Sequence, residues 1–234
     1  MKKVIKPGIR LLEIYCNEAD SNQYKQSQNN GGRIVLPVIL TVLLFSSCIT
    51  NLNIVTVSAP AINCIFDSDC NVTANDTSDD FVLSGMAGSG FLQSRTLPVG
   101  EAGTPGAGLY AYEYRIDLRQ MAGLTHLEGV KELSLDFGPV SSLDYNGDGS
   151  ADDVYVITAG GLGTVAPSSA VKSGNRIIFK FGTSIYAGNA PGNGQSSFFF
   201  GIASRSPAYP VEAHIVDTQN NSYTLDARAP NFNP

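Results

Sequence analysis

The stretch Asp144-Tyr145-Asn146-Gly147-Asp148-Gly149-Ser150-Ala151-Asp152-Asp153 sets side-chain oxygens at alternate positions, with glycines at the bends. Calcium is a hard ion that takes about six to eight oxygens at roughly 2.3–2.6 Å. Short Asp and Asn side chains on a curled loop can converge on one point, and glycine permits backbone that a Cβ would penalise. The candidate ligands are Asp144, Asn146, Asp148, Ser150 through its carbonyl, and Asp152 or Asp153 closing the shell. The competing reading is an acidic turn that binds nothing, because Asn-Gly and Asp-Gly are favoured turn pairs. Spaced ligands plus a bend glycine exceed what a turn requires.

The loop resembles the first part of an EF-hand, with Asp144 at position 1, Asn146 at 3, Asp148 at 5, Gly149 at 6 and Asp152 at 9. Tyr155 stands where the bidentate Glu belongs, and a strand-like run, Val154–Ile157, follows at once. The resemblance implies Ca²⁺ in a loop inserted between strands, with affinity on the order of 10⁻⁴–10⁻³ M.

Other chemistry is thin. Cys64 and Cys70 form a candidate disulfide, worth about 2 kcal/mol for so short a loop in the chain-entropy model. A redox or metal pair is the weaker reading, since the spacing is not C-x-x-C and no nearby His completes a tetrahedral site. His126 and His214 read as surface residues. Neither a G-x-S-x-G elbow nor a phosphate-cradling G-x-x-x-x-G-K-[ST] is present. Paired carboxylates for glycoside hydrolysis are set by spacing in three dimensions, so a polysaccharide-active enzyme stays as an alternative. Asn71, Asn75 and Asn220 head glycosylation sequons, which are accidental in a bacterial chain.

Strands must position these residues. Tyr110, Tyr112, Tyr114, Ile116 and Leu118 alternate with Ala111, Glu113, Arg115 and Asp117, predicting one buried and one wet face. Similar alternation runs through 132–137, 176–181, 211–216 and 223–228. Val154–Ile157 and Phe198–Ile202 are apolar on both faces and read as central strands. With Phe81–Leu83 and Gly90–Leu97 the expectation is an all-β fold of about nine strands, a two-sheet antiparallel sandwich or jelly roll. The only helix expected beyond the leader is one turn within Arg119–Leu127. Asp217–Ser222 reads as a hairpin connection.

The domain division expected is a leader over 1–61, an acidic linker over 62–79 carrying the disulfide, and the sandwich over 80–230. Ile34–Ile49 is a sixteen-residue uncharged apolar core. As a helix it spans about 24 Å, short of a bilayer core of roughly 30 Å. Basic residues before it and Val57-Ser58-Ala59-Pro60-Ala61 after it match a secretory signal cleaved after Ala59 or Ala61. Two rivals remain: Leu44-Phe45-Ser46-Ser47-Cys48 resembles a bacterial lipobox, or the segment is retained as an anchor. Membrane contact is expected only through this N-terminal segment.

Six of the fifteen Lys/Arg lie in residues 1–33 beside three acids, which leaves an acidic body. That argues against nucleic acid, where Lys/Arg on phosphates carry much of the affinity. Ser196–Ser204 followed by Pro210–Asp217 resembles the C-terminal strands of uncharacterised exported bacterial β-sandwich proteins, many with PEP-CTERM-type sorting tails. The resemblance spans about residues 80–230 and supplies no catalytic residues. Asn231–Pro234 lacks such a tail, implying release or retention by the N-terminus. The expectation is thus a non-enzymatic exported protein of structural or adhesive role. Its expected partner is an extracellular glycan or surface protein, and a calcium-dependent lectin-like module is the first alternative.

Overall fold

Alternating apolar residues and Gly-rich turns build two six-stranded sheets. The computed structural model describes residues 49–123 and 128–231; the apolar leader up to Cys48 (with Cys16), His126 and the last three residues lie outside them. The elements are β1 (Ile49–Leu52), β2 (Ile54–Ser58), α1 (Ala59–Phe66), β3 (Asn75–Phe81), β4 (Gly90–Thr96), β5 (Tyr110–Asp117), β6 (Gly129–Asp136), β7 (Val154–Ala159), β8 (Ser169–Ser173), β9 (Arg176–Tyr186), β10 (Phe199–Ser204), β11 (Ala208–Asp217) and β12 (Ser222–Pro230). One sheet runs β1-β8-β9-β6-β11-β12 and the other β2-β7-β10-β5-β4-β3. Neighbours pair antiparallel except β2 with β7, which are parallel. The fold is the expected all-β sandwich, and β7 and β10 are interior strands as their two-sided apolar runs predict.

Between the sheets lie Tyr112, Tyr114, Phe137, Phe179, Phe200 and their aliphatic neighbours. Phe179 and Phe200 are 4.7 Å apart between centroids, and Tyr112 meets Phe137 edge-on at 5.4 Å. Such pairs add about 0.5–1.5 kcal/mol each beyond the area they bury. At the β3/β12 side, polar bonds join the sheets. Asp226 N–H donates to Asp79 Oδ2 at 2.8 Å, and the Tyr114 hydroxyl to the Arg228 carbonyl at 2.7 Å.

Three expectations need correction. The sandwich starts well before residue 80: β1 and β2 are paired strands of the two sheets, and β3 begins inside the supposed linker. Cleavage after Ala59 or Ala61 would remove β1 and β2. The hydrophobic residues of 49–58 read as the tail of the leader, although Leu52 and Val57 are core residues.

Next, a helix was missed. α1 is capped by Ser58, whose Oγ accepts from Ala61 N–H, has Pro60 in its first turn and buries Ile62 and Phe66. With eight residues it is too short to show a strong helical period, and packing rather than propensity holds it. Of the segment expected as a helical turn, residues up to Gly123 form a turn and a bridge.

Finally, the wet face of β5 is dry: Glu113, Arg115 and Asp117 are 2%, 6% and 3% exposed. The outer face of their sheet carries a second apolar layer, with Ile62 and Phe66 of α1 packed among Leu97, Tyr145, Tyr155 and Phe199. The predicted disulfide between Cys64 and Cys70 is present and ties the end of α1 to the segment leading into β3.

Candidate metal loop and a buried polar ladder

The loop between β6 and β7 closes on itself through a two-way backbone pair, Leu143 with Asp152, at 2.9 and 2.8 Å. Inside it the Asp144 carboxylate accepts from the N–H groups of Gly147, Asp148 and Gly149 at 2.7, 3.1 and 2.8 Å. Asn146 Oδ1 accepts from Asp148 N–H, and Asp148 Oδ1 from Ser150 N–H. Gly147 and Gly149 take φ of 78° and 88°, the left-handed region the sequence reserves for glycine there. Hydrogen bonds from the Asn146 amide and the Ser150 N–H hold the Asp148 carboxyl below the usual range.

Asp152 differs from the rest. It is 5% exposed, and its Oδ2 has no hydrogen-bond partner. Burial pushes its carboxyl up, the Asp148 charge adds to this, the Tyr145 N–H opposes it, and Asp144 and Asp153 add further. Asp153 has other work: Oδ1 accepts from Ser142 Oγ at 2.6 Å and Oδ2 from Asn53 N–H at 2.9 Å. Asn53 is where the chain steps from β1 to β2, and so from one sheet to the other. The structure therefore brings Asp144, Asn146, Asp148 and Ser150 together with Asp152 behind them, and gives Asp153 to the fold. Among the described residues no group of three His, Cys, Asp or Glu side chains is gathered tightly enough to hold an ion. The Asp152 Oδ2 is buried and unpaired, with the charges of Asp148 and Asp144 acting on it.

The second site crosses the sheet instead of following the chain. Residues directly opposite one another run Asp76 (β3), Arg95 (β4), Glu113 (β5), Gly201 (β10) and Tyr155 (β7). Arg95 grips Asp76 with Nε at 2.8 Å and Nη2 at 3.2 Å. Its Nη1 stands 3.6 Å from Glu113 Oε2. From the other side the Tyr155 hydroxyl donates to Glu113 Oε1 at 3.0 Å. That reach is possible because Gly201 lies between: a Cβ there would stand 2.4 Å from Tyr155 Cζ and 2.5 Å from its hydroxyl.

Burial pushes the Glu113 carboxyl up to about 7, against the pull of Arg95 and the Tyr155 hydroxyl. The Arg95 guanidinium lies 4.2 Å above the Phe199 ring. One row further, Arg115 pairs with Asp117 at 3.1 Å, and Arg119 grips Asp117 from the following turn.

α1 roofs the ladder. Its Ile65 and Phe66 carbonyls accept from Gly106 and Glu101 N–H at 2.7 and 2.9 Å, and Glu101 Oε2 accepts from both Ser68 N–H and Oγ. Beneath the roof a cavity of ≈140 Å³ is lined by Ile62, Asn63, Val72, Arg95, Leu97 and Glu113.

The ladder has no counterpart in the sequence reading. Arg95 stands 19 residues from Asp76, and Tyr155 42 from Glu113, spacings that follow no motif. Two faint signals exist: three charges on one face of a strand otherwise rich in tyrosine, and a glycine inside the apolar Phe198–Ile202 run, where close approach of another group is the usual reason. His214 faces Thr224, its Nδ1 at 3.2 Å from the hydroxyl, away from both sites. No family model, curated protein or solved structure matches this chain.

Proposed function

We propose that the chain is an exported, non-enzymatic β-sandwich protein whose loop takes a calcium ion, and that it works outside the cell in surface structure or adhesion. The observation that carries the calcium reading is the orphaned Asp152 Oδ2, since buried carboxylate oxygens are rarely left without a partner. Asp144, Asn146, Asp148, the Ser150 carbonyl and Asp152 would hold the ion. Its charge would offset the repulsion that Asp148 and Asp144 impose on Asp152. The disulfide supports an oxidising compartment. If a leader is removed, the cut falls before Ile49, because β1 begins there. The lipobox-like Cys48 immediately precedes that strand and gives the anchored form a place to start.

The test is a thermal melt with millimolar calcium or with chelator. An ion at 100 times its dissociation constant adds about 2.7 kcal/mol, so chelator lowers the melting temperature and Asp152→Asn abolishes the difference. A wild-type melt indifferent to both additions leaves the loop a turn and nothing more.

A further inference from the structure

The cover over the ladder is made of two pieces held in different ways. α1 is fixed to the body: Ile62 and Phe66 are buried, and the Ile65 and Phe66 carbonyls accept from Gly106 and Glu101 N–H. The flap behind it, residues 70–74, is fastened to α1 instead. Cys70 N–H donates to the Asp67 carbonyl and Asn71 N–H to the Asp67 carboxylate, both at the end of the helix. The Cys64–Cys70 disulfide is the covalent part of the same tie. From Val72 to Ala74 the chain makes no hydrogen bond to the body, and Val72 and Ala74 rest on the outer apolar layer by contact alone. Cys70 also takes φ of 57°, a left-handed backbone uncommon for residues other than glycine. Once released, it is free to return to ordinary backbone and to carry 71–74 with it.

Val72 and Ala74 line the ≈140 Å³ cavity together with Asn63, Arg95 and Glu113. A flap over purely apolar surface is kept shut by the hydrophobic effect. This flap covers a carboxyl and a guanidinium, whose hydration favours opening. Closed, it leaves Glu113 2% exposed, facing Arg95 of β4, Asp76 of β3 and Tyr155 of β7. Neither α1 nor the flap brings a charge to it.

We propose that the Cys64–Cys70 disulfide is a redox latch, whose reduction frees residues 70–74 and opens the ladder cavity to water and small solutes. Cys64 is exposed, within reach of an external dithiol. The dithiol's thiolate attacks the Cys64 sulfur to form a mixed disulfide, and Cys70 leaves as a thiolate. The second thiol of the reagent then displaces Cys64. The protein gains two thiols, and the dithiol is oxidised to a disulfide.

The test is carboxyl footprinting of the full chain with carbodiimide and glycine ethyl ester, before and after reduction by dithiothreitol. Alkylation of Cys64 and Cys70, read by mass spectrometry, reports whether the latch has opened. Local opening raises Glu113 labelling about ten-fold or more. Glu212, exposed in both forms, is the reference, and Asp217, 0% exposed in the other sheet, stays unlabelled. By carboxyl NMR the Glu113 midpoint, pushed up to about 7 in the closed form, falls on reduction as burial is relieved. The double variant Cys64→Ser, Cys70→Ser shows the open behaviour without dithiol, and the wild-type arm needs no substitution. A disulfide that dithiothreitol leaves intact in the folded chain overturns the proposal. So does Glu113 labelling that is unchanged once both thiols are free. Asp217 labelling that rises in step with Glu113 overturns it as well, by turning the opening into general unfolding.

Discussion

The loop over Asp144–Asp153 and the ladder from Asp76 to Tyr155 are both built on carboxylates, yet they are put together in different directions. In the loop, neighbours in space are neighbours in sequence, so Asp144 satisfies the N–H groups three, four and five residues on. In the ladder, neighbours in space come from five strands and are aligned only by register. The loop is exposed from Asn146 to Ala151, with Tyr145 and Asp152 buried and Asp144 and Asp153 half-buried. The ladder is buried at Glu113 and Tyr155, on the face that α1 covers, and reaches solvent at its Asp76 end. Charges on the loop are screened by water and governed by local hydrogen bonds. Charges in the ladder are governed by burial, and small changes there have large consequences.

The sharpest way to test that contrast is to add one side chain to a glycine in each region. Gly201→Val drives a branched side chain into Tyr155 and breaks its bond to Glu113. Overpacking plus a lost bond to a buried carboxyl costs about 3 kcal/mol or more. Gly149→Ala meets nothing within 4 Å, and only its φ of 88° opposes it. The expected cost is about 1 kcal/mol. Thermal melts then show a drop for Gly201→Val about three times that for Gly149→Ala. Equal drops would mean that the ladder is as loosely held as the loop.

Titration separates the regions next. The Glu113 carboxyl has its pKa pushed up to about 7 from 4.5. Between those values the folded protein holds a proton that the unfolded chain has released, so stability falls as pH rises across the window and levels off above it. The full shift corresponds to a loss on the order of 3 kcal/mol. Asp148 moves the other way: its depressed pKa contributes stability that is present above the unfolded value of 3.8 and lost as pH falls below it. The predicted result is a melting temperature that declines from pH 5 to 7.5 in the wild type and stays flatter in Glu113→Gln. An identical slope in the two proteins would remove Glu113 from the ladder's energetics.

The same contrast explains what could be read from the sequence. Period-two alternation marked β5, β6, β9, β11 and β12, because one face of each lies against the other sheet. It could not reveal that the opposite face of β5 is covered, since Glu113, Arg115 and Asp117 look solvated until α1 and the 67–74 segment are placed over that sheet. β1 and β2 were absorbed into the leader, because apolar residues after an apolar core carry no mark of where the fold begins. The Cys64–Cys70 pairing was legible because Cys16 precedes the apolar core and Cys48 lies at its end, which leaves two cysteines for the fold. Spacing alone marked Asp144 to Asp153 as a candidate loop with Asp152 or Asp153 closing it, and it could not see that Asp153 accepts from Asn53 N–H, which arrives from the first strands.

Asp153 therefore supplies the finest discrimination. If its carboxylate serves the crossing from β1 to β2, its loss acts on the fold and not on the ion. Asp153→Ala removes the acceptor for Ser142 Oγ and for Asn53 N–H. The backbone bonds from Asp153 and Val154 N–H to the Asn53 carbonyl remain, at 3.2 and 2.9 Å, so the crossing is weakened and not lost. A cost of about 1–2 kcal/mol is expected for two charge-assisted bonds at a partly exposed position. The cost is the same in calcium and in chelator, which Asp152→Asn cannot match if Asp152 is a ligand. A melting drop for Asp153→Ala that disappears in chelator would return the residue to the ligand set and move the boundary between loop and fold by one position.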